Sequence, residues 1–359
     1  MSHAAPADSD TAPCRVALVM IVRDEAAHIA AALASLAGCV DEMVVLDTGS
    51  QDDTVAIARA AGARVSHFTW VDDFSAARNA ALALTDAHWR VVLDADERLE
   101  TGHEALRALR HVTPAFVGSV RVDSVDDGAG APARAGAWIS RVLPRGVAYA
   151  GRVHEQPVHA LPVRRLPVTL GHEGYRQSAL AAKAGRNRAL LERMVAEHPD
   201  DAYTWYQWAK DHDVYGRHAE ALQGFARAQA LLGAAQPAWA HDLAVRRLHA
   251  MKCVGRHADA VMQAEADMAR WAASPDFFFA LGDLLLDWAA DEPARADEII
   301  PMIEAAWQRC LVIGERPDLE GAVAGRGSHL AATNLAVLYE GIGRLEDARA
   351  ARALAAGAG

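Results

Sequence analysis

Lysine is nearly missing from this 359-residue sequence. Only Lys183, Lys210 and Lys252 occur, so the first 182 residues hold neither a Walker-type lysine for phosphate nor an amine for a Schiff base. Cysteine is sparse as well. Cys14, Cys39, Cys253 and Cys310 stand without any C-x-x-C spacing, which argues against a zinc knuckle or a disulfide framework and suits a reducing cytosol. Positive charge is in deficit: the formal net charge is −11 and neither half of the chain is basic, so nucleic acid and anionic membrane are poor partners. Near the N-terminus the longest apolar run, Val16 to Val22, is far too short to span a bilayer. The opening MSHAAPADSDTAPC has no basic n-region and no apolar h-region, so residues 1–14 read as a short disordered tail on a cytoplasmic protein.

What is there is ordinary globular composition, 52% hydrophobic and 23% charged, in a chain long enough for two domains. From Arg15 onward, short β-branched runs (VALVMIV, EMVVLDT, ARVSHFT, WRVVLDA) alternate with alanine-rich stretches suited to helices. That rhythm predicts an α/β domain over residues 15–175 with a mostly parallel central sheet. After Pro114 the segments AFVGSVRV, AWISRVL and VAYAGRV look antiparallel, with a loop at Asp126 to Ala135. Residues 176–359 read as helices only. Trp205, Trp208, Ala209, Gly216, Ala221, Phe225 and Ala228 fit the tetratricopeptide pattern, as do Leu335, Ala336, Tyr339, Ala348 and Ala355 around Gly343. A copy around Gly255 is degenerate. The alternative is an irregular helical bundle; a repeat stack would suit a partner or a second copy of the chain, as a homodimer.

In parallel sheets, ligands sit beyond the carboxyl ends of the strands, and here those ends are acidic. Arg23, Asp24 and Glu25 follow the first run, Asp47 to Asp53 the second, Asp72 and Asp73 the third, Asp94 to Glu97 the fourth. Crowded carboxylates repel unless a cation or hydrogen-bond donors lie between them, and hard oxygen ligands suit Mg²⁺ or Mn²⁺. Three D-x-D pairs occur: Asp8/Asp10 in the tail, Asp211/Asp213 in a helix where solvated surface is the better reading, and Asp94/Asp96 directly after a buried-looking strand. Only the last has the context of a site. VRDEAAH replaces a glycine-rich dinucleotide loop after the first strand, and Arg98 breaks the D-x-D-x-[TV] phosphatase pattern. Asp52 and Asp53 could equally cap the helix that follows them.

The ordered segments MIVRDEAAHIAAALASL, VVLDTGSQDDT, FSAARNAAL and VVLDADE resemble the family 2 glycosyltransferases of the GT-A nucleotide-sugar fold. The likeness is close over residues 15 to 100, weaker through GRVHEQP and LGHEGY. The tetratricopeptide-like tail is similar to members that glycosylate lipopolysaccharide cores or, in glycocin-type enzymes, peptide side chains. The resemblance implies that Asp24 or Glu25 and Asp47 line the nucleoside pocket, that Arg78 and Asn79 approach the nucleotide, and that Asp94 and Asp96 are the metal and sugar carboxylates, with His172 completing the metal shell. It also implies a metal-dependent, inverting transfer of a hexose from a nucleotide-diphosphate sugar, UDP-linked by expectation, to a peptide or glycan acceptor. Such a transfer needs a base, for which Glu155 is the first choice and His154 the substitute. A surface salt bridge is the alternative for Glu155, and a structural role for His172. The rivals in function are a catalytically retired sugar-nucleotide-binding and repeat-based interaction module, and a nucleotidyltransferase on a similar sheet, whose usual glycine-rich loop is missing. The other histidines of the helical half, among them His218 and His249, are assigned no role.

Overall fold

The computed structural model describes residues 13–126, 133–172 and 177–357. The expected tail and residues 173–175 of LGHEGY fall largely or wholly outside them. The chain divides into two compact units, Met1–Val122 with Trp138–Gly174, and Asp123–Ala137 with Tyr175–Gly359.

In the first unit the order is β1 (Val16–Val22), α1 (Ile29–Ser35), β2 (Glu42–Asp47), α2 (Thr54–Ala60), β3 (Arg64–His67), α3 (Phe74–Leu82), β4 (Trp89–Val92), β5 (Glu97–Thr101) and α4 (His103–Ala108). Then come β6 (Val117–Asp126), β7 (Ala133–Pro144), β8 (Ala148–Ala150), β9 (Gln156–Val158) and β10 (Val163–His172). Eight strands form one sheet in the order β3-β2-β1-β4-β7-β6-β10-β5, and β8 pairs with β9 separately. The pairings of β3, β2, β1 and β4 are parallel, while β7 joins β4 and β10 joins β5 antiparallel. This is an α/β unit whose first four strands pair in parallel, as the sequence predicts. Of the loop expected at Asp126 to Ala135, Asp126 ends β6 and Ala133 to Ala135 open β7, while residues 127–132 lie outside the described residues.

Strand β1 is buried on both sides because it is central. Val16, Leu18, Met20 and Val22 pack with Ile29, Leu33 and Trp89 in one core, while Ala17 and Val19 join Leu46, Ala81, Val92 and Leu143 in the other. The period-two alternation of a pleated strand thus feeds two separate cores from seven consecutive apolar residues.

In the second unit all secondary structure beyond β10 is helical among the described residues: α5 (Gln177–Glu197), α6 (Ala202–Val214), α7 (His218–Leu232), α8 (Ala240–Cys253), α9 (His257–Asp267), α10 (Pro275–Asp291), α11 (Ala296–Ile313), α12 (His329–Gly341) and α13 (Leu345–Gly357). Three helix pairs turn on the same device. Gly216, Gly255 and Gly343 have φ of 73°, 71° and 78°, and the arginine after each donates its N–H five residues back: Arg217 to His212, Arg256 to Met251, Arg344 to Tyr339. This is a Schellman turn, which needs a left-handed residue at that position. The copy around Gly255 therefore has the same turn as the others, although its side chains had made it look degenerate. Gly224 lies against Trp208 and Ala209, where a Cβ would come within 2.7 Å of the indole. Trp288 and Trp307 are buried, and Trp205, Trp208, Trp239 and Trp271 pack on the core. None of the described helices is long and apolar enough to cross a membrane.

Candidate active site at the carboxyl edge of the sheet

The loops after β1 and β2 are laced together by side-chain to main-chain hydrogen bonds. Asp24 accepts from the Gln51 N–H (2.6 Å) and its own N–H donates to the Ser50 hydroxyl (3.0 Å). The Glu25 N–H donates to the Thr54 hydroxyl (2.7 Å), and Asp52 accepts from the Ala26 N–H (3.1 Å). Asp24 has φ 54°, a left-handed conformation that aspartate tolerates better than most residues. Glu25 is within 2.9 Å of the His28 imidazole. Asp47 is buried at the end of β2, accepting from the Gly49 N–H (3.2 Å) and Ser50 N–H (3.1 Å), with His67 at 3.2 Å. Burial raises its pKa, but these donors outweigh it and hold the carboxyl below the ordinary aspartate range.

Two acidic groups have local duties instead. Asp73 is the N-cap of α3, accepting from the Ala76 N–H. Asp52 accepts from the Thr54 N–H (3.0 Å), whereas Asp53, at the N-cap position of α2, makes no side-chain cap bond. The rim is accordingly less crowded with free carboxylates than the sequence alone implied.

The centre of the site is the turn between β4 and β5. Asp94 accepts from Arg78 through Oδ1 (2.8 Å) and from Arg141 through Oδ2 (2.8 Å). Arg141 also donates to Glu97 (2.6 Å), and the second oxygen of Glu97 accepts from the Asp94 N–H (3.0 Å). Arg78 donates in addition to Glu155. Its side chain is only 10% exposed, yet among the described residues Nη1 is left without a hydrogen-bond partner, as are Arg141 Nε and the Tyr149 hydroxyl. Unpartnered buried donors are costly unless something else meets them. Burial opposes ionisation of Asp94, but Arg141 and Arg78 overcome it and hold the carboxyl far below the usual range. Burial dominates at Glu97, whose pKa is raised.

Asp96 lies one step further along the turn, with Oδ2 3.3 Å from Nε2 of His172. The register of β10 against β5 pairs His172 with Glu97, which brings the imidazole beside Asp96. Burial disfavours the charged imidazole, but the hydrogen bond and charge of Asp96 raise its pKa. Both ends of the Asn79 amide are bonded to the main chain of Tyr149, whose ring lies under Arg78. Glu155 is mostly buried against Arg78, and His154 is exposed with φ 53°. The structure thus unites Arg78, Asp94, Asp96, Glu155 and His172. Glu97 was noted only as part of the acidic stretch after the fourth strand, and Arg141 and Tyr149 escaped the sequence reading, though an arginine inside the apolar run AWISRVL was a usable signal.

Residues 17–143, within the first unit, match the family model described as Glycosyl transferase family 2. A TPR repeat-containing protein of Synechococcus elongatus is 38% identical over 210 residues, covering 54% of this chain and 51% of its own length. The SPbeta prophage-derived glycosyltransferase SunS of Bacillus subtilis is 25% identical over 225 residues, 60% of this chain and 52% of its own. An uncharacterised glycosyltransferase of Rickettsia felis is 39% identical over 85 residues, 24% of this chain and 30% of its own. The chain spans about half the length, or less, of these curated relatives. Among solved structures, glucosyl-3-phosphoglycerate synthase from Mycobacterium tuberculosis, in complex with Mn²⁺, UDP and its product, is 27% identical over 32% of this chain and 45% of its own, with a TM-score of 0.25.

Proposed function

We propose that the chain moves a hexose from a nucleoside-diphosphate sugar, UDP-linked, to a peptide side chain or a glycan, with inversion at the anomeric carbon. The reading is supported by the family 2 domain, and one observation carries it: on a single turn after β4, Asp96 lies beside His172 while Asp94 is gripped by two arginines.

Asp96 and His172 fit a divalent ion. A carboxylate oxygen and an imidazole nitrogen 3.3 Å apart offer two adjacent ligand atoms, and the nitrogen favours Mn²⁺ over Mg²⁺. Asp94 joins no third ligand atom to this pair within 4.8 Å among the described residues. When bound, such an ion offsets the charge that develops on a departing diphosphate. Asp94 is the carboxylate for the donor's sugar hydroxyls, oriented by its two guanidinium partners. Arg78 and Arg141 supply fixed positive charge in a unit that has no lysine, and the free Nη1 of Arg78 is a donor for a phosphate or hydroxyl oxygen. Asp24, Glu25 and Asp47 organise the two loops that would flank the nucleoside.

The acceptor must lose a proton as the new bond forms. Glu155 is tied to Arg78, whereas His154 projects exposed from the same loop, so we assign the proton to His154 and give Glu155 the task of positioning Arg78. Thermal shifts against a panel of nucleotide sugars, with and without Mn²⁺, test the donor. A ligand at a hundred times its Kd adds about 2.7 kcal/mol of stability, so Tm rises by several degrees. Asp96→Asn should abolish the Mn²⁺-dependent part of that rise. His154→Ala should leave it intact while slowing transfer about 10²- to 10⁴-fold. If no nucleoside diphosphate or its sugar moves the wild-type Tm, the retired-module reading replaces this one.

A further inference from the structure

We propose that His218, His249 and Cys253 form a binding site for a zinc-class divalent ion on the helical unit. Their three ligand atoms lie within 4.8 Å of one another, the only such group of three among the described residues. His218 opens α7, and His249 and Cys253 sit four residues apart on α8, so they share one face of that helix.

The geometry is that of a prepared site. Nδ1 of His218 is 3.1 Å from Oδ1 of Asp213, and the other oxygen of that buried aspartate accepts from Arg246 (3.1 Å). A carboxylate on one ring nitrogen fixes the orientation of an imidazole and leaves Nε2 for a metal, the usual outer-shell arrangement of zinc-binding histidines. Asp213 is therefore not the solvated surface residue that its place in a helix of the repeat half had suggested. The rings of His218 and His249 meet edge to face, at 86° with centroids 5.5 Å apart. Nε2 of His249 lies 3.6 Å from Sγ of Cys253. Zinc bonds of about 2.3 Å to sulfur and about 2.05 Å to nitrogen, opened to the tetrahedral angle, span about 3.6 Å between the two ligand atoms.

The donor set selects the ion. Two imidazoles and a thiolate suit zinc, and no oxygen ligand is present to favour Mg²⁺ or Ca²⁺. His249 and Cys253 are exposed, which gives an entry path and leaves a fourth position toward solvent for water. The ammonium of the intervening Lys252 is turned to Asp287, at 3.5 Å. An ion here would staple the start of α7 to the end of α8. Sequence spacing hid the site, because His218 is remote in the chain and H-x-x-x-C alone matches no metal motif.

The test is a titration of the chelator-stripped full chain with Zn²⁺ alone, followed by calorimetry, and with Co²⁺, followed by absorption. The expected result is a single tight site, a thiolate-to-cobalt charge-transfer band, and a Tm raised by several degrees at saturating Zn²⁺. Cys253→Ser should abolish the charge-transfer band. His218→Gln and His249→Gln should each weaken Zn²⁺ by about 10-fold or more, and Asp213→Asn by about 10- to 100-fold with the band retained. Circular dichroism of each variant checks that it is folded. An Asp96→Asn, His172→Gln double variant should bind Zn²⁺ at the new site unchanged, which separates it from the donor site. Equal Zn²⁺ affinity in wild type, Cys253→Ser and His249→Gln would overturn the proposal, as would the absence of any tight binding.

Discussion

The side-chain amide of Asn79 is committed at both ends to the main chain of Tyr149: Nδ2 donates to the carbonyl (2.9 Å) and Oδ1 accepts from the N–H (2.8 Å). This pair of hydrogen bonds ties α3, which carries Arg78, to β8. Replacing Asn79 by alanine leaves two main-chain groups without their partners and should cost about 1–3 kcal/mol of stability. The affinity of the folded variant for UDP should be unchanged. Denaturant unfolding beside calorimetry reads both, and a loss of affinity at constant stability would restore the direct nucleotide contact that the sequence implied.

Arg141 neutralises Asp94 and Glu97 together from a buried position. Arg141→Ala leaves Glu97 without its guanidinium and Asp94 with Arg78 alone, and the expected loss is about 3–5 kcal/mol in urea unfolding. A variant with Glu97→Gln added should recover part of that loss, since the orphaned charge is then removed. Strict additivity of the two substitutions would contradict the shared-arginine geometry.

Asp47 gives the first unit a pH dependence of known sign. Its folded-state pKa lies below 3.8, because the Gly49 and Ser50 amides and His67 favour the carboxylate more than burial opposes it. A depressed carboxyl contributes its stabilisation fully above the unfolded value, and loses it as pH falls through the lower, folded value. Asp47→Asn should therefore be less stable than wild type at neutral pH. The gap should close on acidification below about pH 4, in unfolding curves collected across that range.

Gly224 faces Trp208 and Ala209 with no room for a methyl group, the nearest atoms standing 2.7 and 2.8 Å from an added Cβ. Gly224→Ala should cost about 1–3 kcal/mol, despite alanine's better helix propensity. Tryptophan emission should shift as Trp208 moves, and an unchanged spectrum at wild-type stability would contradict the close packing of α6 on α7.

The α/β half was legible because a buried parallel strand announces itself as a β-branched run, and the D-x-D turn follows the fourth such run directly. Asp73 misled because a capping aspartate and a ligand aspartate occupy the same place in the sequence, just before a helix; of Asp52 and Asp53, both open to capping, only Asp52 accepts from the Thr54 N–H. Arg141 was hidden by distance: it meets Asp94 across 47 residues, through the pairing of β7 with β4. The turn at Gly255 was underrated because the tetratricopeptide pattern weighs side chains, whereas what α8 and α9 share with the other pairs is a main-chain hydrogen bond made by Gly-Arg. His172 was legible only as a possibility, since the register of β10 on β5 decides whether it reaches Asp96.

Adjacent side chains of β1 serve different cores, so that strand has a single admissible frame. A slip by one residue would thrust Leu18 and Met20 into the space shaped for Ala17 and Val19, and empty the opposite side. The segment that carries Asp24 begins where β1 ends, so its height above the sheet is ratcheted in whole pleats. An insertion anywhere between Val16 and Val22 would displace the rim that carries Asp24 without touching a single residue of it.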